Sequence, residues 1–225
     1  MSVLSAQAIQ AYLRRPDLSQ RLVVSPLLDP AGQIKGDQAA IDVRLGRTFT
    51  IVRAWSQGVA EGLQPDSSLP AAEPRLESVV LQYGQPLVVH PHQLVLARTL
   101  EVVRLPDTLV AYVIGRSSWG RRGLIVATAV IIHPGFKGPI TLELKNLGEV
   151  PIALYPFDRI AQLAFHSVAK DEEDTTGEPI VRTGSQFATT FVPGLGSVRD
   201  PQTVAHLRRL GLRWSGGRKI SNGGE

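Results

Sequence analysis

Between Ala40 and Val168 the apolar residues recur at every second position, in short runs rich in Val, Ile and Thr that Gly, Pro, Asp or Asn set apart. The runs are Ile41–Leu45, Thr48–Ala54, Ser78–Tyr83, Pro86–His90, Gln93–Val103, Leu109–Ile114, Leu124–Ile132, Pro139–Lys145, Val150–Tyr155 and Arg159–Val168. Successive side chains of a strand point to opposite faces, so a period of two specifies strands that turn one face to a core. No helical pattern intervenes to carry the chain across a parallel pairing. The sequence therefore predicts a mostly β fold, an antiparallel sandwich or barrel.

The flanks differ from this centre. Ser5–Arg15 opens on a capping residue and spaces Ile9, Tyr12 and Leu13 by three and one before Pro16, which predicts a short amphipathic helix. Residues 55–77 carry Gly, Pro and Ser and predict a long surface loop or arm. After Val168 the acidic run Lys170–Asp174 reads as a solvated loop and Thr189–Ser197 as a flexible glycine-containing segment. Pro201–Leu210 predicts a second helix, with Pro in its first turn and Gly211 just past its end, and 216–225 predicts disorder. The expected organisation is one domain over 1–198, its core about 40–168, followed by a basic C-terminal helix and tail over 199–225.

Composition narrows the chemistry. The 225 residues include no cysteine, which removes disulfides, thiol nucleophiles, iron–sulfur clusters and any zinc site built on thiolates. Net charge is +4, and residues 199–225 alone hold six basic and two acidic residues, so 1–198 are formally neutral. A basic excess confined to one end, without interleaved aromatics, disfavours nucleic acid as a partner. No apolar run reaches the length of a membrane span and no secretory leader is evident, so the expectation is a cytoplasmic protein without membrane contact.

Two segments concentrate polar chemistry. Gly115–Gly123, reading GRSSWGRRG, offers glycines for close backbone approach, the hydroxyls of Ser117 and Ser118, and the guanidinium forks of Arg116, Arg121 and Arg122. Such a loop suits phosphate oxygens; a basic surface turn fits the same residues. Beyond it, His133 precedes a Pro-Gly turn, and strand alternation then sets Ile140, Leu142 and Leu144 on one face and Thr141, Glu143 and Lys145 on the other. Glu143 reads either as a solvent-facing partner of a lysine or as a carboxylate held in a pocket and tuned for proton transfer.

Taken together these strings resemble a known family. Ala40–Gly46 (AIDVRLG), His90-Pro91, Thr99–Pro106, Gly115–Leu124, His133–Gly138, Thr141-Leu142-Glu143 with Asn146, and Phe157–Leu163 (FDRIAQL) stand in the order found in the deoxycytidine triphosphate (dCTP) deaminases of the trimeric dUTPase-like superfamily. The resemblance covers about residues 1–168. It implies a distorted β-barrel or jelly-roll of the dUTPase-like type, with the short N-terminal helix and a C-terminal helix and tail. It further implies a homotrimer with sites between subunits and hydrolysis of dCTP to dUTP and ammonia, a hydrolase acting on the C–N bond of a cyclic amidine that feeds thymidylate synthesis.

The same resemblance assigns roles. Glu143 is the expected general acid/base, acting without zinc. Arg116, Ser117, Ser118, Arg121 and Gln162 are expected on the substrate, with Mg2+ carried by the triphosphate and no metal bound by protein ligands. Ser117 would also help place the attacking water. Thr141 and Leu142 are expected to present backbone groups to the base, and dUTP or dTTP is a candidate regulator. Phe136 is expected beside the deoxyribose, or else in the core. His133 occupies the place where the deaminases keep an aspartate on the sugar hydroxyl and where dUTPases keep their water-activating aspartate. That favours a deaminase over a bifunctional deaminase–dUTPase or a dUTPase, and His133 could instead cap its turn. No tyrosine follows Tyr155, although the deaminases close over the triphosphate with a Tyr, Lys and Gln segment. Arg182, Gln186 and Arg199, with a lid at Pro193–Ser197, are the candidate substitutes. A catalytically idle nucleotide-binding trimer is the reading from another class.

Overall fold

The computed structural model describes residues 2–53, 76–128 and 131–168. The arm expected at 55–77, the helix at 201–210, the lid and the basic tail lie almost wholly outside them. So do Arg182, Gln186 and Arg199.

Helix α1 (Ala6–Leu13) begins where the sequence places it: Ser5 is its N-cap and accepts a hydrogen bond from the Ala8 amide at 3.2 Å. Its apolar side, led by the fully buried Ile9, seals the sheet. Strand β1 (Val23–Ser25) follows, then a single turn, α2 (Pro30–Gln33), capped by Asp29 with proline in its first turn. The remaining strands are β2 (Ala40–Val52), β3 (Leu76–Val80), β4 (Leu87–Val89), β5 (Leu94–Arg104), β6 (Leu109–Gly115), β7 (Leu124–Val126), β8 (Ile131–Ile132), β9 (Lys137–Asn146), β10 (Ile152–Leu154) and β11 (Arg159–Ser167). A further turn, α3 (Ser117–Gly120), lies between β6 and β7.

Every pairing is antiparallel. The main sheet runs β7-β9-β5-β2-β11-β6-β8, with β1 added to β5 and β3 to β2, while β4 and β10 form a separate ribbon. The main sheet curls: a Cβ at Gly115, on β6 near one end of the order, would lie 3.4 Å from Val126 on β7 at the other. The mostly β, antiparallel architecture is the one that the period of two predicts, and its half-closed curl is seen in the structure.

Two expected strands, Ile41–Leu45 and Thr48–Ala54, are one continuous β2 whose register against β5 shifts between Leu45 and Phe49. Gly46 sits at that irregularity, where a Cβ would come within 3.1 Å of the Arg98 carbonyl and 3.2 Å of that of Thr99. The opposite difference holds for Leu124–Ile132, which divides into β7 on β9 and β8 on β6 because the chain changes its pairing partner.

Ile41, Val43, Leu45 and Phe49 fill the core with Leu142, Leu144, Leu163 and Phe165, all fully buried. The other face of β2 is buried too, and by polar groups. Gln33 on α2 donates to the Asp42 carbonyl at 3.0 Å and to Glu101 at 3.1 Å, and accepts from the Arg44 guanidinium at 2.8 Å. The Arg44 amide donates to Glu101 at 2.8 Å. Burial still pushes the Glu101 carboxyl above its usual range, against these stabilising hydrogen bonds. No helix among the described residues is long and apolar enough to cross a membrane.

Candidate active site

The glycine-rich loop after β6 folds into α3, a feature that the turn signals alone do not reveal. Trp119 and Gly120 amides return to the Arg116 carbonyl at 3.0 and 3.1 Å, and the Arg121 amide to that of Ser117 at 3.0 Å. The amides of Ser117 and Ser118, at the start of the turn, have no such acceptor among the described residues. Both serines are exposed, as is Arg121. Arg122 is committed to the loop itself, donating to the Ser118 carbonyl at 2.6 Å. Gly123 ends the loop with φ 90°, and a Cβ there would collide with the Gly148 backbone at 2.7 Å, so glycine is required.

Arg116 turns inward. Its Nη1 pairs with the Asp42 carboxylate on β2, whose side chain is 1% exposed. Gln162 on β11 donates to the other Asp42 oxygen at 2.9 Å, and to Gln38 at 3.4 Å. The register explains the meeting: Gln162 lies opposite both Asp42 and Ile114, one residue short of the loop. Two residues expected on the substrate thus converge on the carboxylate of the AIDVRLG string, to which the sequence pattern assigns no role.

The second group lies on β9, with β5 on one side and β7 on the other. Leu142 is fully buried in the core, and alternation turns Thr141, Glu143 and Lys145 to the opposite, half-buried face. Lys145 does not pair with Glu143; it donates to the His92 carbonyl. Among the described residues the Glu143 carboxylate meets no cation, and burial raises its pKa above the ordinary carboxylate value. Its backbone is fixed from the β7 side, where the Ala127 amide donates to the Glu143 carbonyl at 2.7 Å and the Glu143 amide donates to Thr128 Oγ1 at 2.9 Å. Thr128 is a second residue that sequence reasoning passed over, since nothing local marks a threonine that accepts from another strand.

A scan against family models matches residues 3–168 to the description "dCTP deaminase-like". The chain belongs to the dCTP deaminase-like family. A dCTP deaminase, dUMP-forming, of Dictyoglomus turgidum is 40% identical over 172 residues, covering 76% of this chain and 83% of that protein. A dCTP deaminase of Haloarcula marismortui is 43% identical over 145 residues, covering 64% and 71% respectively. The crystal structure of 2'-deoxycytidine 5'-triphosphate deaminase from Agrobacterium tumefaciens has the same fold, with a TM-score of 0.52 at 22% identity over 72% of this chain. The chain spans about half of that longer protein, 46% of its length.

Within this member of the dCTP deaminase-like family the remaining expected residues fall apart from the two groups. His133 is exposed directly after β8, and its carbonyl accepts the Phe136 amide at 3.3 Å across the Pro134-Gly135 turn. Phe136 is partly buried against the core. No hydrogen bond or ion pair among the described residues joins the Arg116 loop to Glu143. Asn146, fully buried, ties the end of β9 through its side chain to the Val89 and Val150 carbonyls and the Gly148 amide, each at 2.9 Å. Among the described residues no group of three or more His, Asp or Glu could hold a metal ion.

Proposed function

We propose that this protein deaminates dCTP: water adds to C4 of the cytosine, ammonia leaves, and dUTP results. The observation that carries this reading is Glu143, half-buried on β9, unmatched by a cation among the described residues, and raised in pKa by burial. A carboxylate whose charged form is disfavoured by burial is suited to accept a proton and return it. It takes the proton of the attacking water, delivers it to N3, and then helps the amino group depart as ammonia, so that it ends in its starting state. Ser117 helps to place the water.

The triphosphate is bound by Arg116, Ser117, Ser118, Arg121 and Gln162, for which guanidinium forks and unsatisfied amides at the loop are suited. Magnesium belongs with the phosphate oxygens and offsets their charge; no protein ligand set is invoked for it. Thr141 and Leu142 offer backbone groups to the base, and His133 offers a hydrogen bond to the sugar. The resemblance to trimeric enzymes supports a homotrimer, with Glu143 of one subunit facing the phosphate loop of another.

A second reading is favoured by the name of the Dictyoglomus relative, whose product is dUMP. In that case dUTP is hydrolysed onward to dUMP and pyrophosphate. Incubation of the purified protein with dCTP and Mg2+, following ammonia and pyrophosphate separately, tests both. Ammonia with dUTP supports deamination alone, ammonia with pyrophosphate and dUMP the two-step reaction, and no ammonia removes both readings in favour of a nucleotide-binding trimer. A shift of Tm on adding dCTP registers binding in that last case.

A further inference from the structure

Arg159 has no part in the reading above, yet it is bonded to α2, to β2 and to α3 of the phosphate loop. It opens β11 just after Phe157, a bulky residue held at φ 76° by the exchange of hydrogen bonds with Leu45: the Phe157 amide donates to the Leu45 carbonyl at 2.8 Å, and the Leu45 amide to that of Asp158 at 2.9 Å. From this fixed corner the guanidinium reaches three partners. Nη2 donates to Asp29 at 2.8 Å, Nη1 to the Gly32 carbonyl at 3.1 Å, and Nη1 lies 3.6 Å from the Asp42 carboxylate. The Arg159 carbonyl accepts the Trp119 indole N–H at 2.8 Å, anchoring α3. The Arg116 amide points to the next carbonyl, Ile160, at 3.4 Å.

Asp42 Oδ2 therefore serves two guanidinium groups, Arg116 and Arg159, while Oδ1 takes the Gln162 amide. One buried carboxylate between two cations leaves a positive excess in the cluster. The balancing Asp29 is half exposed, where solvent and salt weaken its field. If Arg159 were absent, Arg116 would be the sole counter-charge of Asp42 and its fork would be drawn toward the carboxylate.

We infer that Arg159 is a positioning residue for triphosphate binding: by sharing Asp42 and anchoring Trp119, it sets Arg116 and Gln162 side by side with positive charge left over for phosphate. The inference rests on the proposed phosphate role of Arg116 and Gln162. Arg159 touches no reacting atom, so its loss acts on substrate affinity and not on the proton transfers of Glu143.

The test uses the full chain with Arg159→Gln, Arg159→Lys and Asp29→Asn. Calorimetric Kd values are measured for inorganic tripolyphosphate and, in the Glu143→Gln background, for dCTP. The steady-state constants come from the otherwise unchanged enzyme. Arg159→Gln raises both Kd values and KM about tenfold, with kcat held within about threefold; Arg159→Lys, which keeps the charge, recovers part of the loss. Should Arg159→Gln fail to fold, Asp29→Asn, which removes the balancing negative charge at the exposed end and adds to the positive excess, tightens tripolyphosphate about threefold. Unchanged Kd values in a folded Arg159→Gln or Asp29→Asn variant overturn the inference, as does a fall in kcat with KM unchanged. Failure of the unsubstituted chain to bind either phosphate ligand overturns the proposed function itself, and is visible before any variant is made.

Discussion

Asp42 and Glu143 stand on strands separated only by β5, and their surroundings are opposite. Asp42 is almost completely buried and ringed by Arg116, Arg159 and Gln162. Glu143 is less buried, has no cation among the described residues, and has its pKa raised. The contrast separates two uses of a carboxylate. Paired with fixed guanidinium groups, it ties the loop after β6 to the sheet; left unpaired in a half-dry place, it is suited to proton exchange.

Four experiments would break or sharpen this contrast. Glu143→Gln, which keeps shape and removes the base, is expected to lower the deamination kcat about 10²–10⁴-fold, roughly 3–5 kcal/mol of barrier, while leaving the dCTP Kd within about threefold. A drop in binding with kcat intact would move Glu143 into the Asp42 class. Asp42→Ala leaves two guanidinium groups without their shared carboxylate and is expected to cost about 3 kcal/mol by denaturant unfolding, with weaker tripolyphosphate binding. A stable variant with unchanged affinity would show that the loop organises itself.

Asn146→Ala removes three side-chain hydrogen bonds at a fully buried position next to the close approach of Gly123 and Gly148, and is expected to cost about 2 kcal/mol. Because Asn146 lies on the same strand as Glu143 and beside the end of the Gly115–Gly123 loop, both binding and turnover should suffer; loss of one alone would show that the two groups are independent. The smallest effect is on the pH dependence of stability. A carboxyl whose folded pKa is raised binds its proton more tightly when folded, so its contribution is most favourable below the unfolded pKa and is lost as pH rises through the interval up to the folded value. Tm of the unsubstituted protein, relative to Glu143→Gln, should therefore fall as pH rises through that interval. A rise instead would reveal a cation on Glu143.

The strands were legible because alternation is local: the runs from Ile41 to Val168 correspond to β2–β11, and Ser5 and Pro16 bracket α1. What escaped depends on distant partners. The division of Leu124–Ile132 follows from a change of pairing partner, which no window of nine residues contains. Strand β1, three residues long, is too short for a period. The turn α2 does carry a local signature, the capping Asp29 directly before Pro30. Asp42 and Arg44 alternate with apolar residues and nothing local marks them as buried; they are buried because α2 brings Gln33 over them.

The site divides in the same way. The Gly115–Gly123 loop is visible in composition, whereas the partners that anchor it, Asp42 through Arg116 and the Arg159 carbonyl through Trp119, lie far away in sequence. Alternation put Glu143 on the face opposite the core but left open a pairing with lysine. Lys145 resolves it by donating to the His92 carbonyl, a contact that the sequence pattern does not encode.

The decisive measurement is ammonia released from dCTP by the purified protein beside its Glu143→Gln variant, at equal concentration and pH. Stoichiometric ammonia from the unsubstituted protein, and at least about a hundredfold slower release from the variant, is the expected result. Ammonia released equally fast by Glu143→Gln, or none by either, would contradict the assignment of this carboxylate as the acid/base of a cytosine deaminase.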